Sequence, residues 1–207
     1  MKLHGVPLSN FYNMAKHSLL EKGADFEEIV TAPSQEPSFL AMSPMGKVPM
    51  LETDEGPLTE APAIMEFLDL KFPGNALYPA DPFARAKVIQ LMRIMELYVE
   101  APVHPLVGIL FDRDIPDHVM AAARPEAEKG LAALERLAKF TPYIAGDQFT
   151  FADIVAFHGF TLANMLTKQV LDWDMLTAVP GLQEWYGHVA QRESTQRILS
   201  DMAAAEG

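Results

Sequence analysis

Met42-Ser43-Pro44-Met45-Gly46-Lys47-Val48-Pro49-Met50-Leu51, and beyond it Thr59-Glu60-Ala61-Pro62-Ala63-Ile64, decide how this chain is read. Pro49 interrupts an apolar run and lacks the N–H that a strand ladder needs. It therefore belongs at a strand's first position, or where the backbone turns to meet something else. A cis Val48–Pro49 bond, of the kind found in tight turns, would point the peptide groups of Val48 away from the sheet. They could then pair with an extended ligand backbone. Glu60 opens a helix, where unpaired N–H groups and the positive dipole end attract anions. Together the two segments could hold a peptide main chain and a carboxylate.

Outward from this stretch the pattern is regular. Residues 2–8 read as a short strand stopped by Pro7, and 12–22 as a helix with Met14, Ala15, Ser18 and Leu19 on one face and Gly23 closing it. Residues 26–30 read as a second strand, followed by a polar loop and a short helical piece over 39–42. Residues 48–52 and 57–59, joined by Asp54-Glu55-Gly56, look like a hairpin. Pro62 at a first helical position and Phe72-Pro73-Gly74 bracket the next helix. The order β-α-β-α-β-β-α predicts a small mixed sheet with helices packed on it.

Residues 75–82 read as a linker rich in turn formers. Beyond it strand signals nearly vanish. Helices are predicted over 84–110, with a kink or break at Pro102 and Pro105, and over 116–140, 151–166 and 182–191. The expectation is an α+β domain over residues 1–79 and an all-helical bundle over 80–207. Thr150-Phe151-Ala152-Asp153 is a capping box whose first task is folding, with Phe149 placed to staple onto Ile154.

The 207 residues include no cysteine and carry a net charge of −12. Disulfides, thiolate metal sites and any mechanism that uses a protein thiol are excluded. Strong acidity argues against nucleic-acid and anionic-membrane surfaces as partners. No run of about 18 apolar residues suggests a membrane span, and no secretory segment opens the chain, so a cytoplasmic protein is expected. The first arginine is Arg85. An anion held in the first domain must use lysine, backbone N–H groups or a helix end. No metal-ligand spacing and no Ser-His-Asp pattern is present.

Leu8-Ser9-Asn10-Phe11, Glu21-Lys22-Gly23, Ser43 through Pro49, Thr59 through Ile64 and Phe149 through Asp153, in this order, resemble the cytosolic glutathione transferases of the serine type. The resemblance runs essentially end to end. It implies a thioredoxin-like first domain that binds glutathione as co-substrate, with no metal. Val48 would pair with the cysteinyl backbone, Pro49 would be the cis proline, Glu60 would accept the γ-glutamyl ammonium and Lys47 would meet the glycine carboxylate. Ser9 would keep the catalytic hydroxyl, acting as an oriented donor to the thiolate of glutathione. Such a donor, aided by a helix N-terminus, favours the charged sulfur. Asn10 and Tyr12 are competing donors.

The chain departs from the family in three places. Ala61 stands where a hydroxyl usually helps hold the γ-glutamyl carboxylate, a loss of about 1 kcal/mol, leaving the Ala61 N–H. Asn13 and Met14 stand where a basic residue is often found, and Asn10 follows the serine in place of a frequent proline. For the second, hydrophobic electrophile, Tyr12, Tyr98, Pro102, Phe111, Phe160 and Met165 are candidate pocket residues, since aromatic and methionine side chains suit flat apolar molecules. Such stripes are more often plain core. His104 and His158 are possible proton carriers that the mechanism does not need. The expected function is conjugation of glutathione to such electrophiles, a detoxifying reaction, in a homodimer. The alternatives are an isomerase, dehalogenase or peroxidase on the same scaffold, or a binding and regulatory protein that has lost turnover.

Overall fold

A computed structural model describes residues 1–206. The chain packs as two compact units, Met1–Leu77 together with residues 191–206, and Tyr78–Ala190. The first unit holds four short strands, Lys2–Gly5 (β1), Glu27–Val30 (β2), Met50–Thr53 (β3) and Gly56–Thr59 (β4). Their order is β2-β1-β3-β4. β1 runs parallel to β2, and β3 is antiparallel to both β1 and β4. With Asn10–Glu21 (α1), Pro37–Leu40 (α2) and Ala61–Lys71 (α3), this is the expected thioredoxin-like β-α-β-α-β-β-α arrangement. Pro57 is accommodated because β4 is an edge strand with one neighbour.

Element boundaries shift for local reasons. β1 ends at Gly5 rather than near Leu8, because the chain turns there: Ser9 N donates to Val6 O at 3.0 Å. Gly5 lies so close over the Tyr12 ring that a Cβ would stand 2.3 Å from it. α1 starts at Asn10, two residues early, because Ser9 caps it, its Oγ accepting from Tyr12 N at 3.3 Å. β3 starts at Met50, after the residue that lacks an N–H.

Leu3, Tyr12, Ala15, Leu19, Leu51, Ile64 and Leu68 form the core of this unit. α1 buries far more than one apolar face: Asn13, Lys16 and His17 are buried as well. The cause is an unexpected further helix, Glu193–Glu206. It packs with the first unit rather than with the helical bundle that was to occupy 80–207. Lys16, 1% exposed, donates to Glu28 Oε2 of β2 and to Asp201 Oδ2 of this last helix, both at 2.6 Å. Tyr12 donates to the same Glu28 oxygen at 2.6 Å. Nearby, Arg192 grips Glu21 through both carboxylate oxygens at 2.7 and 2.9 Å, and Ser194 Oγ donates to Glu21 and lies 3.0 Å from His17 Nε2.

The second unit is helical. Pro82–Ile94 (α4) runs on as a π-helical turn, Met95–Glu100, then breaks and resumes as a 3₁₀ segment, His104–Phe111, around Pro102 and Pro105 as expected. Asp117–Leu137 (α5), Phe151–Leu171 (α6) and Leu182–Ala190 (α7) follow in this unit, whereas Glu193–Glu206 (α8) belongs to the first. Gly130 lets α5 meet the π-helical turn, since a Cβ there would stand 2.0 Å from Tyr98 O. α6 runs five residues beyond the expected 166, stopping only where Asp172 turns left-handed at φ 49°. Its capping box forms, with Thr150 N donating to Asp153 Oδ2 at 2.8 Å. Asp153 also accepts from Ile144 N at 2.8 Å and Trp185 Nε1 at 2.9 Å, so it ties α6 to α7 and to the preceding loop. Phe149 packs edge-on against Tyr143. No single helix among the described residues is long and apolar enough to cross a membrane.

Two outcomes follow from the ionic contacts of α1. Removing a fully buried ion-pair partner costs about 3–5 kcal/mol. Glu28 and Asp201 keep side-chain exposures of 30% and 42%, so Lys16→Ala should cost less, about 2 kcal/mol, read from urea unfolding. Burial alone would raise the Glu21 carboxyl, yet hydrogen bonds from His17, Arg192 and Ser194 and the Arg192 charge outweigh it, holding it down to about 2 against an ordinary 4.5. A depressed carboxyl stabilises the fold above its unfolded value and loses that contribution as it protonates. The urea midpoint should therefore fall as pH drops from about 4.5 to about 2, and Glu21→Gln should flatten that dependence.

Candidate functional site

The sheet register gathers three segments at one end. His4 of β1 pairs with Met50 of β3, and Met50 pairs with Thr59 of β4. At this end β1 leaves toward Ser9, β3 enters from Val48 and β4 leaves toward Glu60. Residues 9, 48 and 60, distant in sequence, are thus held to one edge by backbone hydrogen bonds.

Ser9 Oγ accepts from the α1 backbone, which leaves its O–H hydrogen to donate outward from the start of the helix. Asn13 Nδ2 donates to Pro7 O at 2.7 Å, fixing the loop before the serine. The Val48–Pro49 peptide is cis. Val48 precedes β3 and pairs with no strand residue. The turn ahead of it is rigid: Ser43 is buried and its Oγ donates to Lys47 O at 2.7 Å. Gly46, at φ +66°, packs so tightly that a Cβ would stand 2.3 Å from Ser34 O. Lys47 extends from this turn with its side chain exposed. Sequence reading overlooked Ser43 as the organiser of this loop; its position four residues before Lys47 was the available signal.

Glu60 caps α3 in a conformation costly for a side-chain-bearing residue, φ 66° and ψ 113°, and makes no side-chain cap bond. Its carbonyl accepts from Ala63 N at 3.0 Å and Ile64 N at 3.1 Å. Pro62 has no N–H. Ala61 N–H is therefore the one donor in this first turn left without an acceptor among the described residues. Ala61 itself is buried. A strained, exposed carboxylate and an unpaired N–H stand side by side at the positive end of an eleven-residue helix.

The Tyr12 hydroxyl is engaged by Glu28. Tyr12 is 2% exposed, and burial and the Glu28 carboxylate push its hydroxyl well above the ordinary phenol range, so it stays protonated and donates to Glu28. Asn10 is buried at the first position of α1. Phe160, 0% exposed, packs its ring edge-on to Trp185 in the core of the helical unit. Tyr98 and Phe111, 57% and 63% exposed, and Met165 do present apolar surface, and Pro102 is half-buried at the break after the π-helical turn. His104 Nδ1 lies 2.5 Å from Glu100 Oε1, while His158 is buried with its ring edge-on to Phe157.

The family described as glutathione S-transferase, N-terminal domain, matches residues 3–76, and that described as glutathione S-transferase, C-terminal domain, matches residues 117–188. A glutathione S-transferase of Pseudomonas putida is 39% identical over 206 residues, covering 99% of this chain and 94% of that protein. The chain belongs to the glutathione S-transferase family. Among solved structures, a glutathione S-transferase from Rhodospirillum rubrum is similar with a TM-score of 0.80 at 26% identity, covering 96% of this chain and 91% of the other. A Populus trichocarpa glutathione transferase F2 shares the fold, with a TM-score of 0.84 at 23% identity over 98% and 99% of the two chains. A maleylacetoacetate isomerase of Pseudomonas aeruginosa is 28% identical to this chain, covering 99% of this chain and all of that protein.

The Glu60 backbone gives this site a direct test. Glycine occupies positive φ without steric cost, so Glu60→Gly should stabilise the fold by about 1 kcal/mol and raise the midpoint of thermal unfolding. Glu60→Gln, which keeps the Cβ, should leave the midpoint nearly unchanged.

Proposed function

We propose that this glutathione S-transferase binds reduced glutathione along the sheet end described above, ionises its thiol with Ser9, and joins it to a hydrophobic electrophile. The observation that carries this reading is the convergence of Ser9, the ladder-free Val48 and the Glu60–Ala61 helix start on one end of the sheet. Each group on glutathione has a counterpart there. Val48 can pair with the cysteinyl backbone, Glu60 accepts from the γ-glutamyl ammonium, and the unpaired Ala61 N–H together with the helix dipole suits the adjacent carboxylate. Lys47 supplies the cation for the glycine carboxylate.

The chemistry asks little of the protein. A free thiol has a reference pKa near 8.5. Lowering it by about two units takes roughly 2.7 kcal/mol, within reach of one charge-assisted hydrogen bond from Ser9 plus a helix N-terminus. The proton leaves to solvent. The thiolate then forms a carbon–sulfur bond as the leaving group departs with the carbon's electron pair, or as electrons move into a conjugated acceptor. Ser9 acts as a donor throughout and is never acylated or alkylated. Tyr98, Pro102, Phe111 and Met165 remain the candidate surface for the apolar substrate. A cytoplasmic setting, where glutathione is kept reduced, and a twofold homodimer accompany this proposal; sedimentation equilibrium tests the latter.

Two variants test the assignment. Ser9→Ala should retain binding to glutathione-agarose within a fewfold, yet lose about 50-fold in conjugation of 1-chloro-2,4-dinitrobenzene near pH 6.5, as a two-unit rise in thiol pKa requires. Thiolate absorbance of the bound complex, titrated with pH, reads that rise directly; an unchanged titration would remove Ser9 from the mechanism. Ala61→Ser restores a side-chain donor beside the free N–H and should tighten glutathione about fivefold, near 1 kcal/mol, by calorimetry.

A further inference from the structure

α8 is held to the first unit by charge more than by apolar burial. Among its described residues only Thr195 and Ile198 are buried. Thr195 Oγ1 finds no hydrogen-bond partner among the described residues, and a buried hydroxyl left without one is hydrated again if the helix lifts away. The other ties are ionic. Asp201 meets Lys16, Arg197 Nη2 lies 3.7 Å from Glu28 Oε1, and just ahead of the helix Arg192 grips Glu21. Asp201, Glu28 and Arg197 are partly open to water, where such pairs hold weakly. An element docked in this way belongs to the low-stability end of a fold.

One group in this contact is both fully buried and of a type that titrates near neutrality. His17 of α1, 0% exposed, has Nε2 3.0 Å from Ser194 Oγ. Ser194 gives its one hydroxyl hydrogen to Glu21, so its oxygen accepts from His17, and Nε2 carries the hydrogen of the neutral ring. A second proton must go to Nδ1, on a ring without access to water. The charged groups acting on this ring are Glu21, whose Oε1 is 3.7 Å from Nε2, and Arg192. Among the described residues β1 and α3, which also pack on α1, bring no charge to it; Asp69 of α3 takes Lys22 instead. Burial outweighs the hydrogen bond and charge of Glu21, and Arg192 opposes a second cation, so the imidazole is held below its ordinary 6.5. Such a group stabilises the docked state above its hydrated value and withdraws that contribution as pH falls through it.

We propose that His17 makes α8 a pH-sensitive clamp on α1: while the ring is neutral it donates to Ser194 and the helix stays docked, and when the ring takes a second proton α8 undocks and uncovers Lys16. The proposal does not rest on the glutathione reading, since every group in the clamp belongs to α1, β2, α8 or the residue ahead of α8.

Hydrogen exchange of the full chain, read by mass spectrometry on peptides from α8 and β3 and corrected for the intrinsic pH dependence of exchange, tests this. The opening constant of α8 should rise about tenfold from about pH 7.5 to about pH 5.5, while β3 changes less than about twofold. Glu21, held down to about 2, stays ionised across this range. His17→Gln keeps an N–H for Ser194 but does not titrate, and should remove the rise. Thr195→Val removes the orphaned hydroxyl and should lower the opening constant about fivefold at both pH values, a gain that a damaged fold cannot produce. The inference is overturned if α8 opening in the unmodified protein does not change with pH, or if β3 opens along with it. It is equally overturned if His17→Gln keeps the full rise, or if Thr195→Val leaves α8 opening unchanged.

Discussion

A lysine ammonium with almost no access to water sets the terms for the first unit. Lys16 could not remain charged in that position without compensation, because taking an unpaired cation out of water costs several kcal/mol. The compensation comes from two carboxylates on different elements, Glu28 of β2 and Asp201 of α8. The lysine therefore fixes three things at once: the helix that carries it, the edge strand beside it and the final helix that covers it. Tyr12 joins the same Glu28 oxygen and seats its ring beneath Gly5. α1 is thus held from both sides, and Ser9, its cap, inherits that fixed position.

The site is built on the same economy of rigid parts. Ser9, Val48 and Glu60 each sit one to four residues outside a strand, so the hydrogen-bonded register of His4, Met50 and Thr59 transmits directly to them. Gly46 and Ser43 stiffen the turn before Val48. Glu60 holds a backbone conformation that side chains avoid, the kind of local cost that persists where a carboxylate must face a particular direction. Among the described residues the Ala61 N–H is the one donor of that turn that Pro62 and the Glu60 carbonyl leave uncommitted.

Much of this was legible in the residues because it is local. Proline before a strand, glycine at helix ends, a capping box and the change from period two to period 3.6 are written in short windows. The two-part architecture and the broken helix at Pro102 follow from such windows, while the cis Pro49 peptide was implied by the family resemblance. What escaped was non-local. Nothing in Phe11-Tyr12-Asn13-Met14-Ala15-Lys16-His17 says that a lysine and a histidine will be buried, because the covering helix lies far along the chain. With α8 unforeseen, Tyr12 read as a residue available to ligands when its hydroxyl was already committed to Glu28. Phe160 was misplaced for a related reason, since an aromatic residue on a strongly apolar helix looks the same facing a cleft or facing Trp185.

The distance between Lys16 and Asp201 is 185 residues along the chain. During synthesis the strand and helix that carry Glu28 and Lys16 emerge well before the helix that shields the lysine. The intervening helical unit is continuous in sequence and can fold while translation proceeds. The first unit therefore keeps the flank around Lys16 uncovered until α8 has been made, so its completion waits on that of the unit encoded between its two parts.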